Sequence, residues 1–170
     1  MIQVKKADPL TDSENIVALI KICRTEKKTV LNEYTVEEEI KYINNLHPRD
    51  AVFVAKTDSG IFVGFASINR RYLYSERLQH CGEVGTWVMP NFRRKGVGWS
   101  LWKNGVLPWC EKNGFKHLGF FILSYNQDAI IFYEKLGFRV CGYHRNLILG
   151  YDGSFVDALE MELWLDNLTI

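Results

Sequence analysis

The segment Pro90–Trp102, PNFRRKGVGWSLW, connects a predicted strand to a predicted helix through three basic residues and a Gly-x-Gly pair. The strand ends at Pro90, because proline cannot donate to a β-ladder, and an apolar stripe with helical spacing begins at Val97. Unpaired N–H groups and the positive end of the helix dipole meet at such a turn, and glycine lets an anion approach the backbone. The segment predicts a phosphate-binding loop, with a tight turn carrying solvated basic side chains as the alternative.

Two common nucleotide-binding motifs are excluded by the same residues. A P-loop would close with Gly-Lys-Ser/Thr, and a Rossmann fingerprint would have a third glycine and an acidic residue about 20 positions further on. Neither pattern surrounds Gly96 and Gly98. A phosphate bound by this loop therefore belongs to another kind of ligand site.

Length and composition predict one domain that spans residues 1–170. The chain has 170 residues, 47% of them hydrophobic, which is enough for one core. With 21 Lys and Arg against 20 Asp and Glu, the net charge of +1 gives no global electrostatic case for binding nucleic acid or a membrane. The N-terminus lacks the apolar run of a signal peptide, and no run approaches the ~18 apolar residues of a membrane span. We expect a cytoplasmic protein.

The cysteines and histidines form no recognisable metal-binding or disulfide pattern. The cysteines lack CxxC spacing and the histidines are scattered. These residues are Cys23, Cys81, Cys110, Cys141, His47, His80, His117 and His144. We expect no metal site, and cysteines that serve as small core residues.

Strands and helices alternate on both sides of the loop. Capping boxes at Thr11–Glu14 and Thr35–Glu38 predict the first two helices, the second of which should end at His47-Pro48, and Pro108 should kink the third. The predicted strands are 2–7, 51–57, 61–69, 81–90, 117–124, 138–149 and 154–165, and the fourth helix is 126–137. The order β-α-α-β-β-β-α-β-α-β-β predicts an α/β fold with a mixed, mostly antiparallel central sheet and helices on both faces.

A second motif lies about 30 residues after the loop. It reads Asn126-x-x-Ala129-x-x-Phe132-Tyr133-x-Lys135-x-Gly137-Phe138, and it follows Val88-x-Pro90-x-x-Arg93-x-x-Gly96-x-Gly98 at the expected separation. Together the two motifs resemble those of the GNAT superfamily of acetyl-CoA-dependent N-acetyltransferases, and most closely the phosphinothricin-type branch. The resemblance covers most of residues 50–165 and implies the GNAT fold.

The resemblance implies acetyl-CoA as co-substrate and assigns residues to hold it. Backbone amides of the loop would grip the pyrophosphate, which makes its glycines more consequential than its basic side chains, and the strand before it would bind the pantetheine arm. Asn126 would contact that arm, serve as an ordinary helix N-cap, or do both. The implied cofactor-binding residues are Thr86, Trp87, Val88, Arg93, Arg94, Lys95, Gly96, Val97, Gly98 and Asn126.

Two residues are the candidate catalytic groups. In the family the tyrosine that matches Tyr133 lies near the sulfur of CoA, although helical spacing also puts this residue on a buried helix face. Proton transfer from a phenol of pKa ~10 to a thiolate of pKa ~8.5 is uphill by roughly 2 kcal/mol, so hydrogen bonding to the thiolate is the expected role. Glu83 matches the branch's Glu-x-x-x-x-Val pattern and is a general base, direct or through water, or else a solvated strand residue. Gly85 is compatible with a local distortion of that strand.

The resemblance predicts that the group which receives the acetyl is an amine. The phosphinothricin-type resemblance implies a small amino-acid-like molecule, whose amine must lose a proton before it can attack. The alternatives are a protein N-terminal acetyltransferase of the ribosomal-protein-alanine type, which would need an open groove, and a non-catalytic acetyl-CoA sensor. Asp157 and Trp164 of the last strand are candidates for an acceptor contact or for a homodimer contact, and no nucleic acid or membrane partner is expected.

Overall fold

The computed structural model describes residues 1–167, which form one seven-stranded sheet with helices on both faces. The strand order is β1-β2-β3-β4-β5-β7-β6, and every pair is antiparallel except β4 with β5. The strands are β1 Ile2–Lys6, β2 Ala51–Thr57, β3 Phe62–Arg70, β4 Cys81–Val88, β5 His117–Leu123, β6 Arg139–Leu149 and β7 Phe155–Trp164. The predicted mixed, mostly antiparallel sheet is confirmed.

Five α-helices cover the two faces of the sheet. The helices are α1 Pro9–Thr25, α2 Val36–Asn44, α3 Val97–Leu101, α4 Leu107–Lys112 and α5 Gln127–Lys135. Helix α1 packs on one face in a cluster with β2 and β3, while α3, α4 and α5 supply residues to a larger cluster on the other face. We call these the α1 face and the α5 face. No helix within residues 1–167 is long and apolar enough to cross a membrane.

The predicted kink at Pro108 takes the form of a π-helical turn. Residues Trp102–Val106 wind as a π-helix between α3 and α4. Pro108 has no N–H for the bond that an α-helix would make to the carbonyl four residues earlier, and a wider turn just before it accommodates that loss. The turn also buries Trp102, which is 1% exposed at the centre of the larger cluster.

The two central strands of the sheet diverge. Among the residues that the structure describes, β4 pairs with β5 only where Cys81–Glu83 lie beside His117–Gly119. Strand β5 continues to Leu123 beside β7, whereas β4 continues to Val88 beside β3 alone. The second half of β4 therefore has an open edge toward β5. An open edge inside a sheet leaves backbone donors and acceptors available to something other than a strand.

The first helix begins differently from the sequence-based prediction. The predicted cap Thr11 lies inside α1, and Asp8 is the N-cap instead: its side chain accepts hydrogen bonds from the amides of Leu10 and Thr11, both at 2.9 Å. Pro9 at the first helical position explains the difference, because its fixed φ suits that position and extends the helix back to Asp8. The Thr35–Glu38 capping box of α2 is confirmed, but α2 ends at Asn44 rather than at His47-Pro48.

The assignment of Asp8 as the N-cap of α1 can be tested against a matched control at Thr11. We expect Asp8→Ala to lower the melting temperature by roughly 2–4 °C, because two amides of the first turn lose their acceptor. Thr11→Ala should leave it unchanged, since the Thr11 side chain caps nothing. Thermal unfolding of both variants beside the wild type would contradict the assignment if Thr11→Ala were the more destabilising change.

Candidate active site

Tyr133 fills the gap between the diverging strands. It lies on the buried side of α5, is 4% exposed, and packs against Phe120 with ring centroids 4.2 Å apart. Burial raises the pKa of its hydroxyl to about 12, and hydrogen bonding with the side chain and backbone of Thr86 acts in the opposite direction. The Thr86 hydroxyl is in turn held by Trp102, whose Nε1 donates to it at 2.9 Å. A rigid phenol therefore meets the open edge of β4 at Thr86.

The loop between β4 and α3 is a cradle of unpaired backbone amides. Arg94 and Gly96 both have left-handed φ angles, 58° and 80°. The first amide of α3 with a backbone partner is that of Ser100, which donates to the Gly96 carbonyl at 2.9 Å, and the amides of residues 94–99 have no acceptor within the described part of the chain. A Cβ on Gly96 would meet no heavy atom within 4 Å, so the loop is not crowded at this residue. Unpaired amides in an uncrowded loop before a helix suit a phosphate group.

Gly98 is required by a different neighbour than the sequence suggested. A Cβ at this position would lie 2.8 Å from the ring of Phe132 on α5. A larger residue would first push α3 away from α5, so the packing of these helices alone requires a small residue there. Gly96 is the glycine whose backbone conformation belongs to the cradle itself.

The Arg93 side chain faces away from the cradle. Its guanidinium binds both carboxylate oxygens of Glu26 at the end of α1, with Nη1–Oε1 and Nη2–Oε2 distances of 3.0 and 2.6 Å, and its Nε donates to the Val88 carbonyl at 3.0 Å. This corrects the expectation that its side chain would assist with an anion. Arg93 instead joins the end of β4 to α1, while Arg94 and Lys95 are exposed beside the loop. Val97 is buried and contributes to the core.

Asn126 precedes α5 without capping it. No side-chain cap is present, and the Asn126 Nδ2 donates to the Lys28 carbonyl at 3.2 Å. The residue is 9% exposed, and its Oδ1 has no hydrogen-bond partner within residues 1–167. The alternative of an ordinary N-cap is therefore wrong. A fixed, unused amide oxygen at the end of the open gap is suited to accept a hydrogen bond from a ligand.

The predicted base lies on the α1 face of β4. Glu83 is exposed and stands opposite Asn69 of β3. The β3–β4 register runs without a shift from Gly64–Val88 to Arg70–Gly82, so the strand distortion expected at Gly85 is absent from this pair. The Trp87 ring explains the glycine: it folds back over Gly85 and stacks on Phe65 with centroids 4.6 Å apart. Glu83 and the Trp87 ring therefore share one sheet face.

The connection between α1 and α2 is fastened across the same end of the sheet. Within this segment, residues 26–34, the Thr29 hydroxyl lies 3.4 Å from Trp87 Nε1 and the Thr29 carbonyl accepts from the Tyr151 hydroxyl at 2.5 Å. Tyr125 donates to the Lys27 carbonyl at 2.9 Å, next to the Asn126 bond to Lys28.

Three buried charged residues on the α1 face were not identified from the sequence: Asp12, which is fully buried in α1, Glu39 and Arg71. Glu39 is the buried residue of α2, 4% exposed, and its position in a helical stripe with Ile43 was the available signal. Arg71 is 8% exposed and reaches over Gly119 to Glu160, with Nη2–Oε1 at 2.8 Å. No periodic pattern marks Arg71, because it follows the end of β3.

The remaining candidates have local partners. Asp157 accepts hydrogen bonds from the Tyr143 hydroxyl and from the Asn146 amide, and the Trp164 ring packs edge-on against His117. Within residues 1–167 no three His, Cys, Asp or Glu side chains come together as a metal-binding group.

Comparisons with known proteins identify the fold and the family. Residues 16–138 match the model of the acetyltransferase (GNAT) family. No curated protein matches the chain. A solved structure of a "putative phosphinothricin N-acetyltransferase" is 22% identical and aligns over 97% of this chain and 99% of its own, with a TM-score of 0.85.

Two further solved structures have the same fold. The ribosomal-protein-alanine N-acetyltransferase of Brucella melitensis is 22% identical over 96% of this chain and 99% of its own, with a TM-score of 0.83. The "putative acetyltransferase" yncA of Salmonella typhimurium, solved with its cofactor acetyl-CoA, is 18% identical over 100% and 97%, with a TM-score of 0.86. At these identities the likeness establishes the fold, and the family match covers the loop, Glu83, Asn126 and Tyr133.

Proposed function

The chain belongs to the GNAT family of acetyltransferases and is an acetyl-CoA-dependent acyltransferase, and we propose that its acceptor is the primary amine of a small, amino-acid-like molecule. The observation that carries this choice is the fastened segment of residues 26–34. A peptide acceptor needs an open groove, whereas this segment is tied to Trp87, Tyr125, Asn126 and Tyr151 across one end of the site. Because this segment closes one end of the site, an extended peptide has no path through it, and a short acceptor is favoured.

The residues present fit acetyl-CoA. The amides of residues 94–99 have no protein acceptor among the described residues, which suits the pyrophosphate, and Arg94 and Lys95 are exposed beside them. The open edge of β4 at Thr86–Val88 and the unused Oδ1 of Asn126 suit the amide groups of the pantetheine arm. When bound, acetyl-CoA supplies an acetyl thioester. The backbone carries most of this recognition, because a single exposed basic side chain is worth about 1 kcal/mol or less.

Tyr133 is proposed to stabilise the departing thiolate. Its pKa of about 12 makes complete proton transfer to a thiolate of pKa ~8.5 uphill by roughly 5 kcal/mol, more than the sequence alone indicated. The hydroxyl therefore donates a hydrogen bond and keeps its proton. Its fixed position beside Thr86 lets it do so without reorganisation.

Glu83 is proposed to accept the proton that the amine nitrogen releases as the amide bond forms. It is exposed on the α1 face of β4, three residues before Thr86, so solvent can carry that proton away. The proton can reach the carboxylate directly or through one water. Glu83 is the one carboxylate of β4, and it lies where the open edge begins. We propose that this chemistry belongs to one domain of residues 1–170 acting in the cytoplasm, in keeping with four free cysteines.

A panel of acceptors tests the proposed substrate class. Thiol release from acetyl-CoA should be fastest with free amino acids and phosphinothricin-like analogues. The matched comparison is a free amino acid against a short peptide that begins with the same residue, since both offer an α-amino group. Faster release with the peptide would contradict the proposal and indicate an N-terminal acetyltransferase, and binding of acetyl-CoA without release on any amine would indicate a sensor.

Replacing one hydroxyl tests the role of Tyr133. We expect Tyr133→Phe to lower kcat by about 10- to 100-fold without abolishing turnover, because it removes hydrogen-bond assistance but not the open edge of β4. Steady-state kinetics with the best acceptor give kcat, and calorimetric titration should give an unchanged Kd for acetyl-CoA. Wild-type turnover by the variant would exclude the assignment.

A further inference from the structure

The buried residue of α2 is a glutamate. Glu39 is 4% exposed and lies on the side of the helix that carries Ile43 and Leu46, both of which pack against the core cluster on the α1 face. Spacing of four and seven residues puts an apolar residue at such a position in an ordinary amphipathic helix. Hydrophobic packing therefore does not explain the carboxylate of Glu39 at this position.

Glu39 has no cationic partner among the residues that the structure describes. Within residues 1–167 no Lys, Arg or His nitrogen lies within 4 Å of its carboxylate, and the Tyr34 hydroxyl is the group that hydrogen-bonds to it. The buried acid on the neighbouring helix differs: Asp12 of α1 is fully buried and is paired with Lys56 at 2.5 Å. Buried charges are normally paired, because an isolated one loses most of its hydration energy. A cation that the chain does not supply would complete this site.

The position of Glu39 connects it to the predicted base. Tyr42, one turn further along α2, donates to Asn69 Oδ1 at 2.8 Å, and Asn69 stands opposite Glu83 in the β3–β4 register. The carboxylates of Glu39 and Glu83 both raise the pKa of Tyr42, after the larger effect of burial. Tyr42 and Asn69 therefore link α2, which carries Glu39, to Glu83 on the α1 face of the sheet.

The two arginines of this face are already engaged. Arg71 is held by Glu160 and also contacts the ring of Phe121, and Arg70 pairs with Asp50 at 3.2 Å. Asp50 is the other carboxylate that acts on Tyr42. Each arginine has its own acid, and Lys41 of α2, which lines the cavity beside Tyr42, forms no ion pair with either glutamate. Among the described residues, Glu39 and Glu83 therefore have no cationic partner. An alkylammonium group has the charge and the hydrogen-bond donors that this surface lacks.

We propose that Glu39 is a second carboxylate of the acceptor site, which binds the acceptor as an ammonium ion and takes the first proton from it. The inference rests on the proposed function. The ammonium RNH3⁺ gives one proton to the Glu39 carboxylate and becomes RNH2. Its nitrogen then forms the C–N bond to the acetyl carbon as the C–S bond breaks, the second proton passes to Glu83, and the sulfur leaves with the bonding electron pair. Glu39 and Glu83 return their protons to the leaving thiolate and the solvent.

The environment of Glu39 suits this role. Burial raises its pKa to about 7, and the hydrogen bond from Tyr34 acts in the opposite direction. A carboxyl group with a pKa near the working pH takes a proton from an ammonium more readily than one at the usual value of ~4.3. The groups that face it are Tyr34, Tyr42 and, beyond Tyr42, Glu83 and Asp50.

The test compares Glu39→Gln with Glu37→Gln, which makes the same charge change on an exposed residue of the same helix. We expect Glu39→Gln to lower kcat/KM for the acceptor by about 100-fold at pH 8, with an unchanged Kd for acetyl-CoA. Glu37→Gln should behave as the wild type. Glu39→Asp, which keeps the carboxylate, should recover part of the loss.

The pH profile separates catalysis from structure. The ratio of kcat/KM between wild type and Glu39→Gln cancels the titration of the acceptor and of Glu83, so it should be constant above pH ~7 and fall about tenfold per pH unit well below it. A ratio near one, or one that does not change with pH, would overturn the proposal. No thiol release by the wild type on any amine would instead overturn the proposed function, and this inference with it.

A stability measurement checks the titration independently. A carboxyl group whose pKa is raised in the folded state stabilises the fold at low pH, and that contribution is lost as pH rises through the folded pKa. The wild type should therefore lose stability relative to Glu39→Gln between pH ~4.5 and ~7. A difference that is flat across this range would mean that Glu39 does not titrate there, and the proton-acceptor role would be wrong.

Discussion

The divergence of β4 from β5 is the constraint on which the rest of the site depends. After Glu83 and Gly119 the two strands no longer pair, and the sheet has an open edge inside it rather than at its border. An unpaired backbone edge must find other partners. Tyr133 fills the α5 end of the gap, and what remains is the unpaired main-chain edge that we propose binds the extended pantetheine arm. The proposed role of the side chains is then limited to the chemical step at the acetyl group and the amine.

The loop after β4 is held in place by contacts that leave its amides free. Arg93 is fixed to Glu26 and to the Val88 carbonyl, so a half-buried ion pair anchors the start of the loop to α1. Arg94 and Gly96 supply the left-handed backbone conformations of this loop, in which the amides of residues 94–99 have no acceptor among the described residues. The same α1 that anchors Arg93 continues into the segment of residues 26–34, which is tied to Asn126. One helix therefore positions both ends of the cofactor site.

The sequence predicted the order of elements, the sheet type and the two motifs, because strand periodicity, turn residues and the glycine loop are local signals. It did not predict the direction of Arg93, whose partner Glu26 is 67 residues away, nor that the neighbour of Gly98 is Phe132. It assigned the first helix cap to Thr11 because Ser/Thr-x-x-Glu is common, while Asp8-Pro9 was the stronger local signal. Glu39 and Arg71 become noticeable only through burial and pairing, which depend on how distant elements pack.

We propose that the backbone conformation of the loop holds acetyl-CoA, and calorimetric titration of Gly96→Ala tests this most directly. Gly60 in the β2–β3 turn is the matched control, since its φ of 83° is also left-handed and its Cβ would also meet nothing within 4 Å. An alanine in that conformation is strained by about 1–2 kcal/mol, so the free loop of Gly96→Ala should relax out of it and binding must restore it. The variant should therefore bind acetyl-CoA roughly 5- to 30-fold more weakly than the wild type, and Gly60→Ala should bind it equally well. Equal affinity in all three proteins, or equal weakening in both variants, would contradict the account.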